Sequence, residues 1–366
     1  MQTSREVIDG LLRGGGAERV GLYDSPWPDT IRKWTQGAQP ADGPGLPRDL
    51  AKDVRFDMLH VGGFWGWAPR PDLVKTVEET DEWRIVRNGA GAYLKWWKNK
   101  SGTPEHVKFT MTSREIWEAD FRPHVVSDLA ARVSDKTAAA LADGMENCRK
   151  AGLWGFYGNE FVWEIMRASM GDMTLYTSLI EDAGWVRDFC RCYTDVYKVC
   201  MGRQIEAGRP DGIWLYEDLG YRDRLFASPR IYAELIFPHY AEMVEFFHGH
   251  GLPVVLHTCG LTEPLVPLII EAGFDALNPM EVKAGNDIFR MAEQYAARIA
   301  FIGGLDARVL ESGDRGLIRR RVTELVEGMK ARGARYVFGS DHSISTNVAY
   351  EDFLLAVEVY REHMMY

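Results

Sequence analysis

A basic surplus, long apolar runs and paired cysteines are all missing from this chain of 366 residues. Lys and Arg number 43 against 53 Asp and Glu, giving a formal charge of −10. That balance excludes the clustered cationic face needed to grip nucleic-acid phosphates. The densest basic group, Arg319-Arg320-Arg321, has Glu324 and Glu327 close by in a helical pattern and reads as a solvated helix face. No stretch approaches the roughly 18 apolar residues of a membrane span. The N-terminal MQTSREVIDGLLRGGG has no apolar core of the kind a signal peptide carries. Five cysteines, an odd and sparse count, suit free thiols in a reducing compartment rather than a disulfide framework. A cytoplasmic protein with neither nucleic-acid nor membrane partners is expected. No G-x-G-x-x-G follows an early strand, so a dinucleotide site has little support.

What is present is a rhythm. Apolar residues make up 46% of the chain, ample for a large core. From about residue 125, helical patterns such as SPRIYAELIFPHYAEMVEFFHGHG alternate with short apolar runs. These runs are LWGFYG (153–158), GIWLYED (212–218), PVVLHTCG (253–260), FDALNPME (274–281), IAFIGGLD (299–306) and RYVFGSDHS (335–343). VGLYDS (20–25) and DMLHVGGFWG (57–66) are of the same type. Buried strands alternating with amphipathic helices imply a parallel sheet with crossover helices. About eight strands in this length favour an α/β fold of the closed (β/α)8 TIM-barrel kind, with residues 1–366 as a single domain. Residues 82–120, with strand-like runs around Gly-rich turns, predict an N-terminal antiparallel β insertion of two or three strands. The Gly/Pro-rich stretch 37–48 reads as an ordered excursion.

The polar residues gather at the ends of the runs. Asp24 closes the first, Glu217 and Asp218 close GIWLYED, and His257 and Cys259 close PVVLHTCG. Asn278 and Glu281 close FDALNPME, Asp306 closes IAFIGGLD, and Asp341 with His342 close RYVFGSDHS. A barrel brings the carboxyl ends of its strands to one mouth, where active sites of this fold lie. Residues two apart on a strand point the same way, so His257 and Cys259 can offer a nitrogen and a sulfur to one ion. Zinc suits that mixed pair and requires a third ligand. His342 is the leading candidate, and Glu281, Glu217, Asp218 or substrate could fill a fourth position. The competing reading makes His257 a hydrogen-bonded barrel histidine and Cys259 a small buried hydrophobe. Trp65, Trp67 and Tyr216 are candidates for an aromatic or cation-binding wall, against simple core packing. His60, inside DMLHVGG, reads as a satisfied core histidine.

The order HTCG (257–260), NPMEVKAG (278–285), GGLDAR (303–308), GSDHSI (339–344) resembles the uroporphyrinogen decarboxylase superfamily. More narrowly it is similar to that family's corrinoid-linked methyltransferase branch. The resemblance implies a (β/α)8 barrel with a zinc held by a His-x-Cys pair and a later Cys. His257 and Cys259 match the pair. The later Cys has no counterpart in GSDHSI, where His342 stands closest, with Asp341 beside it. Exchanging thiolate for imidazole makes the ligand set less anionic and the zinc a stronger Lewis acid. That favours demethylation of a small methoxy- or methylamine-type substrate over thiol methylation. The implied methyl acceptor is a corrinoid (cobalamin) supplied by a partner protein, since the chain carries no Asp-x-His-x-x-Gly signature. Glu217, Asp218 and Asp306 would position substrate or donate protons, and Asp24, Trp65, Tyr216, Asn278 and Asp341 would line the substrate site. A homodimer is left open by the long apolar helices. The decarboxylase branch's arginine-rich motif is absent from GLYDSPWPDTIRKW, which disfavours porphyrinogen decarboxylation. A decarboxylase or lyase acting on a small acid, or a zinc-dependent hydrolase, is the alternative.

Overall fold

β-branched and aromatic residues between Gly- and Asp-marked turns form the strands, and the helices pack outside them. The computed structural model describes residues 2–35 and 53–366, so the expectation for 37–48 lies outside the described residues. Eight parallel strands form one sheet: β1 (Gly21–Leu22), β2 (Met58–Gly62), β7 (Trp154–Glu160), β8 (Gly212–Tyr216), β9 (Val254–His257), β10 (Ala276–Asn278), β11 (Ala300–Leu305) and β12 (Tyr336–Ser340). Their order, β1-β12-β11-β10-β9-β8-β7-β2, is the order of the chain read around a curled sheet, with β1 and β2 as its two edges. This is a barrel-like α/β architecture.

No ladder joins the two edges, because β1 is only two residues long. Asp57, just ahead of β2, does the joining with both its backbone and its side chain. The Asp57 N–H donates to the Leu22 carbonyl at 2.8 Å, and the Leu22 N–H donates back to Asp57 Oδ2 at 2.7 Å. Arg19 then bonds both oxygens of the buried Asp57 carboxylate, at 2.6 and 2.8 Å.

Between β2 and β7 the chain makes a separate antiparallel sheet of β3 (Lys75–Glu79), β4 (Trp83–Arg87), β5 (Tyr93–Trp97) and β6 (Glu105–Lys108). The expected insertion therefore exists but begins earlier and has four strands. Its first strand, KTVEE, is exposed along its length and carries no alternation to reveal it. Residues 114–125 are helical turns, started by Ser113, whose side chain accepts the Ile116 N–H.

The inward positions of the strands form layers, as a period of two requires. Met58, Phe156, Trp214, Val255, Ala276, Ile302 and Val337 make one buried cluster, closed from below by Val7, Ile8, Leu11 and Leu12 of the helix Ser4–Arg13. Two residues further along each strand, the same faces carry His60, Gly158, Tyr216, His257, Asn278, Gly304 and Gly339. The interior thus changes within one layer from apolar and filled to polar and glycine-hollowed. Among the described residues no helix is long and apolar enough to cross a membrane.

Candidate metal centre at the strand ends

His257 is the last residue of β9, and its ring is oriented by its neighbour on β10. Its Nδ1 lies 2.6 Å from Asn278 Oδ1, while Asn278 Nδ2 donates to the Ile302 carbonyl at 3.2 Å. The second bond fixes which end of the amide faces the ring. Nδ1 must therefore carry the proton, and Nε2 is left with its lone pair. An outer-shell partner that sets the tautomer in this way is the usual companion of a metal-binding histidine. Nε2 faces Cys259 Sγ at 3.4 Å and Asp218 Oδ1 at 3.7 Å.

Asp218, His257 and Cys259 each offer an atom within 4.8 Å of the other two, and this is the converging group of potential ligands among the described residues. Register explains it. Tyr216 pairs with His257 across β8 and β9, so Asp218, two residues on, comes level with Cys259. The Cys259 N–H donates to Asp218 Oδ1 at 3.0 Å and holds the carboxylate there. Burial pushes the Cys259 thiol well above its ordinary range, and the Asp218 and Glu281 carboxylates push it further. Such a thiol releases its proton to solvent readily only when a cation binds the sulfur. One nitrogen, one sulfur and one oxygen donor, converging where a positive charge is missing, fit a zinc ion.

The chain turns away at once after Cys259. Gly260 has φ of +79°, and a Cβ on it would come within 2.3 Å of the Gly220 backbone. Its N–H donates to Glu281 Oε2 at 2.6 Å, and Glu281 Oε1 meets Lys283 Nζ at 3.1 Å. Glu281 thus anchors the turn and does not enter the ligand group.

The other residues singled out by the sequence are dispersed by the fold. His342 stays outside the converging group, its Nδ1 3.2 Å from the Ser343 carbonyl and its ring near Trp27. It ends β12, three strands from β9, whereas Asp218 ends the strand next door and stands in the converging group. Asp341 is fully buried and accepts the Val282 and Ala307 N–H groups at 2.8 and 2.9 Å, tying three loops together. Asp306 is gripped by Arg308 at 2.6 Å; burial opposes its ionisation, but this guanidinium prevails and holds the carboxyl below its usual range. Glu217 is 0% exposed and accepts N–H groups from Phe161 (2.6 Å), Trp163 (2.8 Å) and Glu164 (3.3 Å), plus the Tyr240 hydroxyl (2.5 Å). It caps the helix Val162–Glu181, and burial outweighs these donors to push it up to about 7. Asp24 faces Ser340, accepting its hydroxyl at 2.6 Å and its N–H at 3.0 Å; burial pushes it to about 6.

An aromatic wall stands beside the ligand group. Tyr216 packs edge-on to His257 with ring centroids 5.6 Å apart, and Trp65, 49% exposed, stacks on Tyr216 at 6.4 Å. The sequence reads His60 as satisfied in the core, but its Nε2 is buried with no hydrogen-bond partner among the described residues. Glu160 and Glu164 were not singled out by sequence at all. Burial raises both, Glu164 to about 8, with Asp218 adding to each. Both lie near the C-terminal end of β7, where the run LWGFYG stops short of them.

The fold and site together define a class: a barrel-like α/β protein with a His–Cys–Asp donor set at the carboxyl ends of adjacent parallel strands. The uroporphyrinogen decarboxylase (URO-D) family model matches residues 162–363, more than half of the chain, and the chain belongs to that family. Among solved structures it is similar to a methyltransferase from Methanosarcina mazei, with a TM-score of 0.70 at 14% identity over 99% of each chain. That likeness is one of fold. No curated protein matches the chain in sequence.

Proposed function

We propose that this chain is a zinc-dependent methyltransferase that moves a methyl group between a small methylated substrate and a corrinoid carried by a separate protein. The convergence of Asp218, His257 and Cys259 carries this reading. Those three residues would hold the zinc, which supplies Lewis-acid polarisation of the heteroatom bearing the methyl group. Asn278 fixes the His257 ring, and Glu281 with Gly260 sets the turn that presents Cys259. Tyr216 and Trp65 offer an aromatic face to the substrate, and that face supports a methoxyaromatic or methylammonium compound as methyl donor. The charge argument for demethylation changes with the ligand set: Asp218 and Cys259 together bring two negative charges, where His342 in place of Asp218 would leave one. The demethylation direction therefore rests on the aromatic face and no longer on ligand charge.

Metal analysis and a methyl-transfer assay test the reading. Wild-type protein and His342→Ala are expected to hold one zinc per chain. Asp218→Asn, His257→Ala and Cys259→Ser should each lose more than the roughly 10–100-fold in affinity that outer-shell changes cost. With 2-methoxyphenol and Co(I) cobalamin present, wild type should give the absorbance of methylcobalamin. An Asp218→Asn protein that binds zinc as tightly as wild type would overturn the ligand set. A product formed equally well without cobalamin would replace methyl transfer by lyase or hydrolase chemistry.

A further inference from the structure

A cavity of about 350 Å³ opens at the seam between β1 and β2 and reaches inward to Tyr216. Phe56, Met58, Leu59 and Leu153 give it an apolar lining, and Asp24, His60 and Tyr216, together with Tyr23, Ser25 and Arg55, supply its polar groups. An enclosed apolar space of about 150 Å³ already holds benzene, so this one accommodates a single ring with substituents. Tyr216 is common to the cavity and the donor set, since the same ring packs against His257.

Within this lining one group is left unsatisfied. His60 stacks on Phe156 with centroids 5.4 Å apart, which fixes the plane of its imidazole. The ring's hydrogen bond to the Gly62 backbone favours the protonated form, so the ring donates it. Nε2, buried and without a partner, is then an acceptor. Burial lowers the ring's proton affinity and keeps it neutral, preserving that lone pair. A buried acceptor left unmade destabilises the fold, so a ligand donor that reaches this one is favoured.

The two polar atoms converge because of one residue. A Cβ on Gly158 would lie 2.9 Å from His60 Nε2, 2.8 Å from the Tyr216 hydroxyl and 2.6 Å from the Tyr216 ring. Glycine on β7 thus lets both side chains close in over the same stretch of backbone at the inner end of the cavity.

We propose that His60 is the specificity-determining acceptor of the substrate site, selecting an aromatic compound with a hydroxyl or N–H donor that docks between His60 Nε2 and the Tyr216 hydroxyl above Gly158. The proposal rests on the methyl-transfer reading for its chemistry alone; the binding it describes requires neither metal nor methyl acceptor. The ring would lie against Tyr216 with its donor group toward β2, which leaves its other substituents free to face the His257 side of that wall.

Binding to zinc-free protein therefore tests it separately. Titration calorimetry or quenching of tryptophan fluorescence compares 2-methoxyphenol, which carries a donor, with 1,2-dimethoxybenzene, which does not. Wild type should prefer 2-methoxyphenol by about tenfold, the effect of one buried hydrogen bond. His60→Phe, which keeps a stacked ring and removes the acceptor, should erase the preference. His60→Gln, which restores an acceptor, should recover part of it, and Gly158→Ala should weaken both ligands. Equal affinities in wild type, or a preference that survives in a folded His60→Phe protein, would overturn the proposal. Loss of zinc binding in the preceding experiment leaves this comparison intact, so the two readings fail independently.

Discussion

Replacing Asn278 by alanine removes a residue that stands behind His257 and outside the converging donor group. The amide accepts from His257 Nδ1 at 2.6 Å, donates to the Ile302 carbonyl at 3.2 Å and is 8% exposed, so little water can substitute for it. Without it the imidazole is free to rotate and to place its proton on Nε2, the nitrogen the metal needs. Outer-shell losses of this kind lower metal affinity by about 10–100-fold, or about 1.4–2.7 kcal/mol. The Ile302 carbonyl also loses its partner, at about 1–3 kcal/mol of folding stability. Asn278→Asp separates the two effects. Its carboxylate can accept the Nδ1 proton, so zinc affinity should stay near wild type, while the Ile302 carbonyl is still deprived and stability falls. Competition with a chromophoric zinc chelator reads the affinity, and urea denaturation of the zinc-free proteins reads the stability. If the alanine variant competes for zinc as well as wild type, or if both variants lose affinity equally, the orienting role of Asn278 is refuted.

Two further outcomes follow from the buried acids. Glu217 is pushed up to about 7 and Glu164 to about 8 from an ordinary 4.5, so between about pH 8 and about pH 6.5 the folded chain binds more protons than the unfolded one. Stability of the zinc-free protein should therefore rise as pH falls across that window. His60, His106 and His239, held below their ordinary 6.5 by burial, work against the trend increasingly as pH approaches 6.5, so the rise is steepest in the upper part of the window. A calorimetric Tm that is flat or falls over the window contradicts this assignment. Glu217→Gln should shrink the rise and cost about 1–3 kcal/mol, since its amide nitrogen would face N–H donors. Asp57→Ala should cost about 3–5 kcal/mol by leaving Arg19 buried without its partner and unlatching β1 from β2. A urea-unfolding loss below about 1 kcal/mol would show that the latch carries no load.

The strand runs were legible because buried parallel strands need continuous apolar residues. LWGFYG, PVVLHTCG and RYVFGSDHS each contain the observed strand or most of it. His257 and Cys259 were legible as a pair because a two-residue spacing on one strand fixes their relative direction. Asp218 was legible only as one of several candidates for a fourth position, since singling it out depends on the stagger between β8 and β9. That stagger is set by hydrogen bonds between strands and leaves no mark in either run. His342 attracted attention through its residue type, its strand-end position and its place near the resembled family's later Cys, and none of these says how close its side chain comes to His257. Glu217 and Asp341 show the complementary failure. A carboxylate at a strand end reads the same whether it faces substrate or caps backbone N–H groups. His60 was hidden by a sound base expectation, because its neighbours Met58 and Phe156 do belong to the core.

The donors for the ion and the lining of the seam cavity hang from different parts of the sheet. Asp218, His257 and Cys259 depend on one hydrogen-bonded pair of strands, β8 and β9, whereas most of the cavity is built from β1, β2 and the segment leading into β2. Tyr216 belongs to both. Substitutions around the seam can therefore change the size or polarity of the space while the reactive end keeps its geometry. On the proposed reading, drift in one half of the mouth would change which compounds fit while the donors in the other half stay as they are.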